Sequence, residues 1–96
     1  MELNEFLEYV NSGKIVKQNT EISEQFDKYL EEAIEITSKI NNEYHNFEDI
    51  QDLFAELTSS EINKTLRLVP PFRSDCGKNI HIGENVFINS GCVMQD

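Results

Sequence analysis

The last stretch of this chain has an apolar period of six, which fits neither an α-helix nor an ordinary β-strand. Cys76, Ile82, Ile88 and Met94 stand six apart, and so do Ile80, Val86 and Cys92. An α-helix would repeat apolar residues every three to four positions and a half-buried strand every two. Between the apolar pairs lie Gly77-Lys78-Asn79, Gly83-Glu84-Asn85 and Asn89-Ser90-Gly91. Each of these triplets begins and ends with Gly or Asn, the residues that accept positive φ at least cost. The pattern reads as short strand, tight corner, short strand, tight corner, and a six-residue repeat of this kind is the signature of a β-helix. A pair of ordinary hairpins is the alternative.

Upstream the period is helical. Leu3, Phe6, Leu7 and Val10 keep 3–4 spacing, and Asn11-Ser12-Gly13 supplies a stop. Ile22, Phe26, Tyr29, Ala33, Ile36 and Ile40 form one stripe at alternating intervals of four and three, predicting a helix of about twenty residues. Asn19 or Thr20 can cap it, with Glu21 and Glu24 in its first turn. A third helix is expected to start near Asn46, with Asp49 three positions on and a stripe at Ile50, Leu53, Phe54 and Leu57. Leu66, Leu68 and Val69 then alternate briefly with polar residues before Pro70-Pro71, which forbids helix.

Charge divides the chain at the same place. Residues 1–61 hold fifteen acids against four bases (Lys14, Lys17, Lys28, Lys39), a net of −11; residues 62–96 hold three acids against four bases, a net of +1. Two segments are therefore expected: an acidic helical part, 1–61, and a strand-forming part, 62–96. The whole chain of 96 residues carries −10, which argues against nucleic-acid binding, because phosphate contact needs a basic face. No apolar run approaches the length of a membrane span. Glu2, Glu5 and Glu8 make the first ten residues unlike the positive start of a signal peptide, and a cytoplasmic location is expected. Cys76 and Cys92 have neither zinc nor redox spacing, so no metal site is expected and both read as reduced thiols.

Pro70-Pro71-Phe72-Arg73-Ser74-Asp75-Cys76-Gly77, followed by Asn79-Ile80-His81-Ile82-Gly83 and Asn85-Val86-Phe87-Ile88-Asn89, resembles the maltose and galactoside O-acetyltransferase family of hexapeptide-repeat acyltransferases. The helical part resembles that family's N-terminal cap, with Glu56-Leu57-Thr58 closing a helix and Tyr44 after an Asn pair. The resemblance implies an α+β fold: an N-terminal α-helical cap over 1–61, then a linker strand and the first coil of a left-handed parallel β-helix over 62–96. Three hexads, about eighteen residues, would make one coil.

The same resemblance implies the chemistry. Acetyl would pass from acetyl-CoA, bound in a groove between neighbouring subunits of a homotrimer, to a sugar hydroxyl. A histidine takes the hydroxyl proton, because a sugar hydroxyl is a poor nucleophile until deprotonated. Asp75 falls where the family places an acceptor-binding Asp or Ser, Phe87 where it has an aromatic against the sugar, Asn89 where it has a polar contact, and Asp96 in the acidic stretch after the next strand. Asn89 also reads as a plain corner residue, in phase with Gly77 and Gly83. The loop from Lys14 to Asn19 departs from the family, with Lys17 in place of the first acid of its Tyr-Asp-x-x-Asp element. Neither His45 nor His81 lies in the family's Thr-x-x-His-Pro context, so no catalytic residue and no cofactor-binding residue is assigned.

The expectation is the N-terminal half of a sugar O-acetyltransferase, truncated after little more than one coil and inactive alone. Two alternatives stand beside it. One is an acidic helical interaction module whose hexads associate with a partner β-helix. The other is a non-catalytic sugar-binding protein.

Overall fold

The computed structural model describes all 96 residues: three helices followed by four short strands. α1 spans Leu3–Asn11, α2 Glu21–Asn42 and α3 Phe47–Thr58. Local chemistry sets their ends. Thr20 caps α2 in a capping box: its hydroxyl accepts from Ser23 N at 3.3 Å, and its own N–H donates to Ser23 Oγ at 3.0 Å. Asn46 caps α3 by accepting from Asp49 N at 2.8 Å. Ser59 closes α3 in the left-handed region, φ 53°.

The strands are β1 (Arg67–Leu68), β2 (Phe72–Ser74), β3 (Phe87–Ile88) and β4 (Cys92–Met94). They form two separate parallel pairs, β1 with β3 and β2 with β4, and in both pairs the register partners stand twenty positions apart. No parallel β-helix coil is present. This corrects the expectation of a first left-handed coil over 62–96, and the reason lies in backbone pairing. A strand exists only where another segment lies alongside it. Residues 67–74 have 87–94 for company. The expected strand around Ile80–Ile82 has no ladder partner and runs as turn and irregular backbone. The corners also use their special residues sparingly. Gly77, Asn85 and Gly91 take positive φ, whereas Gly83, Asn79 and Asn89 do not.

The acidic and strand-forming segments share one core. Ala33, Ile36 and Ile40 of α2 and Ile50, Phe54 and Leu57 of α3 pack with Leu66, Leu68, Phe72, Ile80 and Ile88. The rings of Phe54 and Phe72 meet at 5.5 Å between centroids. A smaller cluster gathers Phe6 of α1, Ile22 and Tyr29 of α2, and Cys76. Gly77 lies against α3 so closely that a Cβ there would stand 2.6 Å from Leu57 Cδ1, and its φ is +86°. Only glycine fits. No helix is long and apolar enough to cross a membrane.

Side-chain amides join helix to strand. Asn41, near the end of α2, accepts from Phe72 N through Oδ1 and donates to Phe72 O through Nδ2, both at 2.8 Å. A carboxamide offers the same donor and acceptor as a peptide unit. Asn41 therefore serves β2 as a third strand would. Gln51 of α3 donates to Lys64 O at 3.0 Å and to Leu66 O at 2.9 Å. Asn41→Ala should leave the Phe72 N–H and C=O unpaired beside the core, lowering stability by about 2 kcal/mol. Urea denaturation checks this as a lower midpoint with an unchanged slope.

Candidate functional site

The most interconnected polar group in the molecule surrounds the corner 75–79. Lys78 is buried, its side chain 2% exposed, and its ammonium donates to Glu32 Oε1 at 2.6 Å and to Leu57 O at 2.5 Å. The same Nζ lies 5.6 Å from the Tyr29 ring centroid. The cation thus has a carboxylate from α2, a carbonyl at the C-terminal end of α3 and an aromatic face. That end of α3 carries the negative pole of its dipole, which favours a cation. A lysine this buried requires such partners.

The next layer is built on Asp96. Its Oδ1 accepts from Cys76 N and its Oδ2 from Asn79 N, both at 3.1 Å. Asn79 in turn exchanges amide hydrogen bonds with Asn11 of α1, at 3.0 and 3.1 Å. Burial pushes the Cys76 thiol above its ordinary value of 9.0. The Lys78 N–H and ammonium oppose that shift, and the Asp96 and Glu32 carboxylates add to it. Burial likewise raises the Tyr29 phenol above 10.0, helped by negative charge at Cys76 and Glu32. The Cys76 thiol is therefore held protonated and is a weak nucleophile at neutral pH. The Lys78 ammonium is committed to two acceptors, so this cluster is a pin between segments.

The four residues expected to touch an acceptor fall into two groups. Asp75 and Asp96 flank the β2–β4 pair: Asp75 N donates to Met94 O at 3.2 Å, and Asp96 reaches the backbone of Cys76. Phe87 and Asn89 stand on and just after β3, exposed on either side of the buried Ile88. Phe87 is 63% exposed and pairs in register with Arg67, whose guanidinium lies 5.2 Å from the Phe47 ring centroid. The Asp96 carboxylate is occupied by two backbone N–H groups. The Asp75 carboxylate is half-buried and makes no hydrogen bond or ion pair within the chain. Asn89 Oδ1 accepts from Ser90 N at 2.8 Å.

The largest cleft, about 450 Å³, lies between α3 and the segment 61–64, lined by Gln51, Asp52, Ala55, Glu61, Ile62, Asn63 and Lys64. None of the four expected residues borders it. No group of three or more His, Cys, Asp or Glu side chains is gathered around a common point. His45 bonds Lys39 O through Nε2 at 2.7 Å, and His81 is exposed.

Lys78 escaped the sequence reading because it stands in a turn triplet, where a cation reads as solvated. The available signal was Glu32, three residues after Tyr29 and four before Ile36, at the edge of the apolar stripe, where its carboxylate can reach a cation packed against that face.

No protein-family model matches the chain, and no solved structure matches it.

The raised Cys76 and Tyr29 groups set an alkaline limit. The folded chain keeps protons that the unfolded chain releases once pH passes 9.0 and 10.0, the ordinary values of these two groups. The unfolded state then binds fewer protons, so stability falls as pH rises. Denaturant midpoints are expected to be insensitive to these groups below pH 9.0 and to fall above it, and Cys76→Ala should remove the first part of the fall. A midpoint that is unchanged through pH 10.0 would contradict this.

Proposed function

We propose that this chain carries the acceptor side of a sugar O-acetyltransferase, in which acetyl passes from acetyl-CoA to a sugar hydroxyl. The reading rests on the resemblance of residues 70–96, and the observation that favours it is the free Asp75 carboxylate at the end of β2. An unpaired, half-buried carboxylate is a strong acceptor for two vicinal hydroxyls, and such contacts orient a sugar. The exposed Phe87 ring offers an apolar face to the C–H side of a pyranose. The Asp96 carboxylate is committed internally, so its part is to hold the corner that carries Asp75.

Attack on the thioester needs a base to take the hydroxyl proton. Neither His45 nor His81 bonds to Asp75, Phe87, Asn89 or Asp96, so neither histidine is assigned that role. The purified chain should therefore transfer no acetyl group from acetyl-CoA to maltose or a galactoside above the non-enzymatic rate. It should still bind sugar. Amide shifts at Asp75 and its neighbours are expected with millimolar maltose or galactoside, and Asp75→Ala should abolish them. Absence of any shift in the unsubstituted chain would overturn the acceptor-side reading.

A second reading, an acidic helical module that associates through its strands, is favoured by the open edges. β3 and β4 each have a single neighbour, and Phe87 and Val93 upon them are 63% and 61% exposed. Unpaired edges recruit other strands. Sedimentation should then show self-association, to a trimer if the resemblance extends to assembly; a clean monomer at high concentration would refute it.

A further inference from the structure

The chain contains the dipeptide Asn-Ser twice, at Asn11-Ser12 and Asn89-Ser90, and the fold treats the two oppositely. Asn11 ends α1, its carboxamide locked with that of Asn79 by bonds of 3.1 and 3.0 Å, and Ser12 N is committed to Tyr9 O at 3.2 Å. Asn89 is exposed in the corner between β3 and β4. Its carboxamide has one partner, the Ser90 N–H, with N and Oδ1 2.8 Å apart. That nitrogen is the atom able to attack Asn89 Cγ, which lies one carbonyl bond from the oxygen it already touches.

We propose that Asn89 is a site of spontaneous deamidation, a modification written into the corner by this local geometry. The Ser90 amide nitrogen loses its proton and bonds to Asn89 Cγ. The Cγ–Nδ2 bond breaks, and ammonia leaves carrying that proton. The resulting five-membered succinimide takes up one water. Opening at Cγ yields Asp, and opening at the main-chain carbonyl yields isoaspartate. No enzyme or further reactant is required. Holding the two reacting groups together replaces a search through conformers with a step from an approach geometry. Asn11 lacks that contact: its carboxamide is held by Asn79, and the Ser12 N–H donates to Tyr9 O and not to the Asn11 side chain.

The two products differ in consequence. Asp adds one negative charge at an exposed position. Isoaspartate also adds a carbon to the main chain in a corner held on both sides, by Val69 N to Ile88 O and by Gly91 N to Pro71 O, each 2.9 Å. The longer backbone displaces Gly91 from Pro71, so the β2–β4 pair loses its entry bond.

The test uses the unmodified chain. It is incubated folded in mildly alkaline buffer, and in parallel unfolded in urea. Peptides carrying Asn89 and Asn11 are then quantified by mass, with isoaspartate identified separately. In the folded chain Asn89 is expected to convert about tenfold faster than Asn11. In urea the two rates should converge, because the dipeptides are the same. Exchange of the Gly91 amide hydrogen should accelerate in the isoaspartate form and not in the Asp form. Equal conversion of Asn11 and Asn89 in the folded chain would overturn the proposal. So would an intact Asn89 after a time in which the urea-unfolded chain has converted.

Discussion

A two-stranded parallel pair of two or three residues cannot satisfy its own backbone, and this constraint shapes the rest of the molecule. Each strand here has one neighbour, so one row of its N–H and C=O groups lacks a ladder. Such groups must find other partners when they are buried. Side chains supply them, from α2 for Phe72 of β2, and from α3 and from Asp96 beyond β4 for the backbone that flanks the strands. Asn41 brackets Phe72, Gln51 takes the Lys64 and Leu66 carbonyls, and Asp96 receives the N–H groups of Cys76 and Asn79. Apolar burial beneath these bonds drives the association, with Phe54 against Phe72 and Leu57 against Gly77. The polar bonds select the register.

Lys78 belongs to the same solution. Its ammonium satisfies Leu57 O, a terminal carbonyl that α3 cannot bond internally, and neutralises Glu32 on α2. One side chain thus joins both long helices to the corner at 76–79. Glu32 remains more than a third exposed, so water screens part of the attraction; the pair's main contribution is geometric, fixing where the corner sits. The corner in turn leaves Asp75 at its edge with its carboxylate unpaired, while that of Asp96 is taken by backbone donors.

The helices were legible because their signals are local. The 3–4 stripes at Ile22–Ile40 and Ile50–Leu57 and the caps at Thr20 and Asn46 each act within a few residues of chain. The six-residue period was also real, and it did bring Ile80 and Ile88 into the core. It did not produce a coil, because a ladder depends on what lies alongside, and residues 76–85 pair with no strand. Among the expected acceptor residues, exposure at Phe87 and Asn89 follows from alternation about Ile88. The diversion of Asp96 to backbone donors has no sequence signature.

By itself the sequence determined where the chain is helical, where it turns, which faces are apolar and that its acidity is concentrated in residues 1–61. These follow from periodicity, capping chemistry and composition, all of which operate over short separations. Only the tertiary structure decided that the two segments share a core, that Asn41 stands in for a strand and that Lys78 is buried. It also decided that Asp75 keeps a free carboxylate while Asp96 does not. Those outcomes depend on which polar groups meet across separations such as Asn41–Phe72 and Glu32–Lys78, where the cost of burying an unpaired donor or charge, and not local propensity, selects the arrangement.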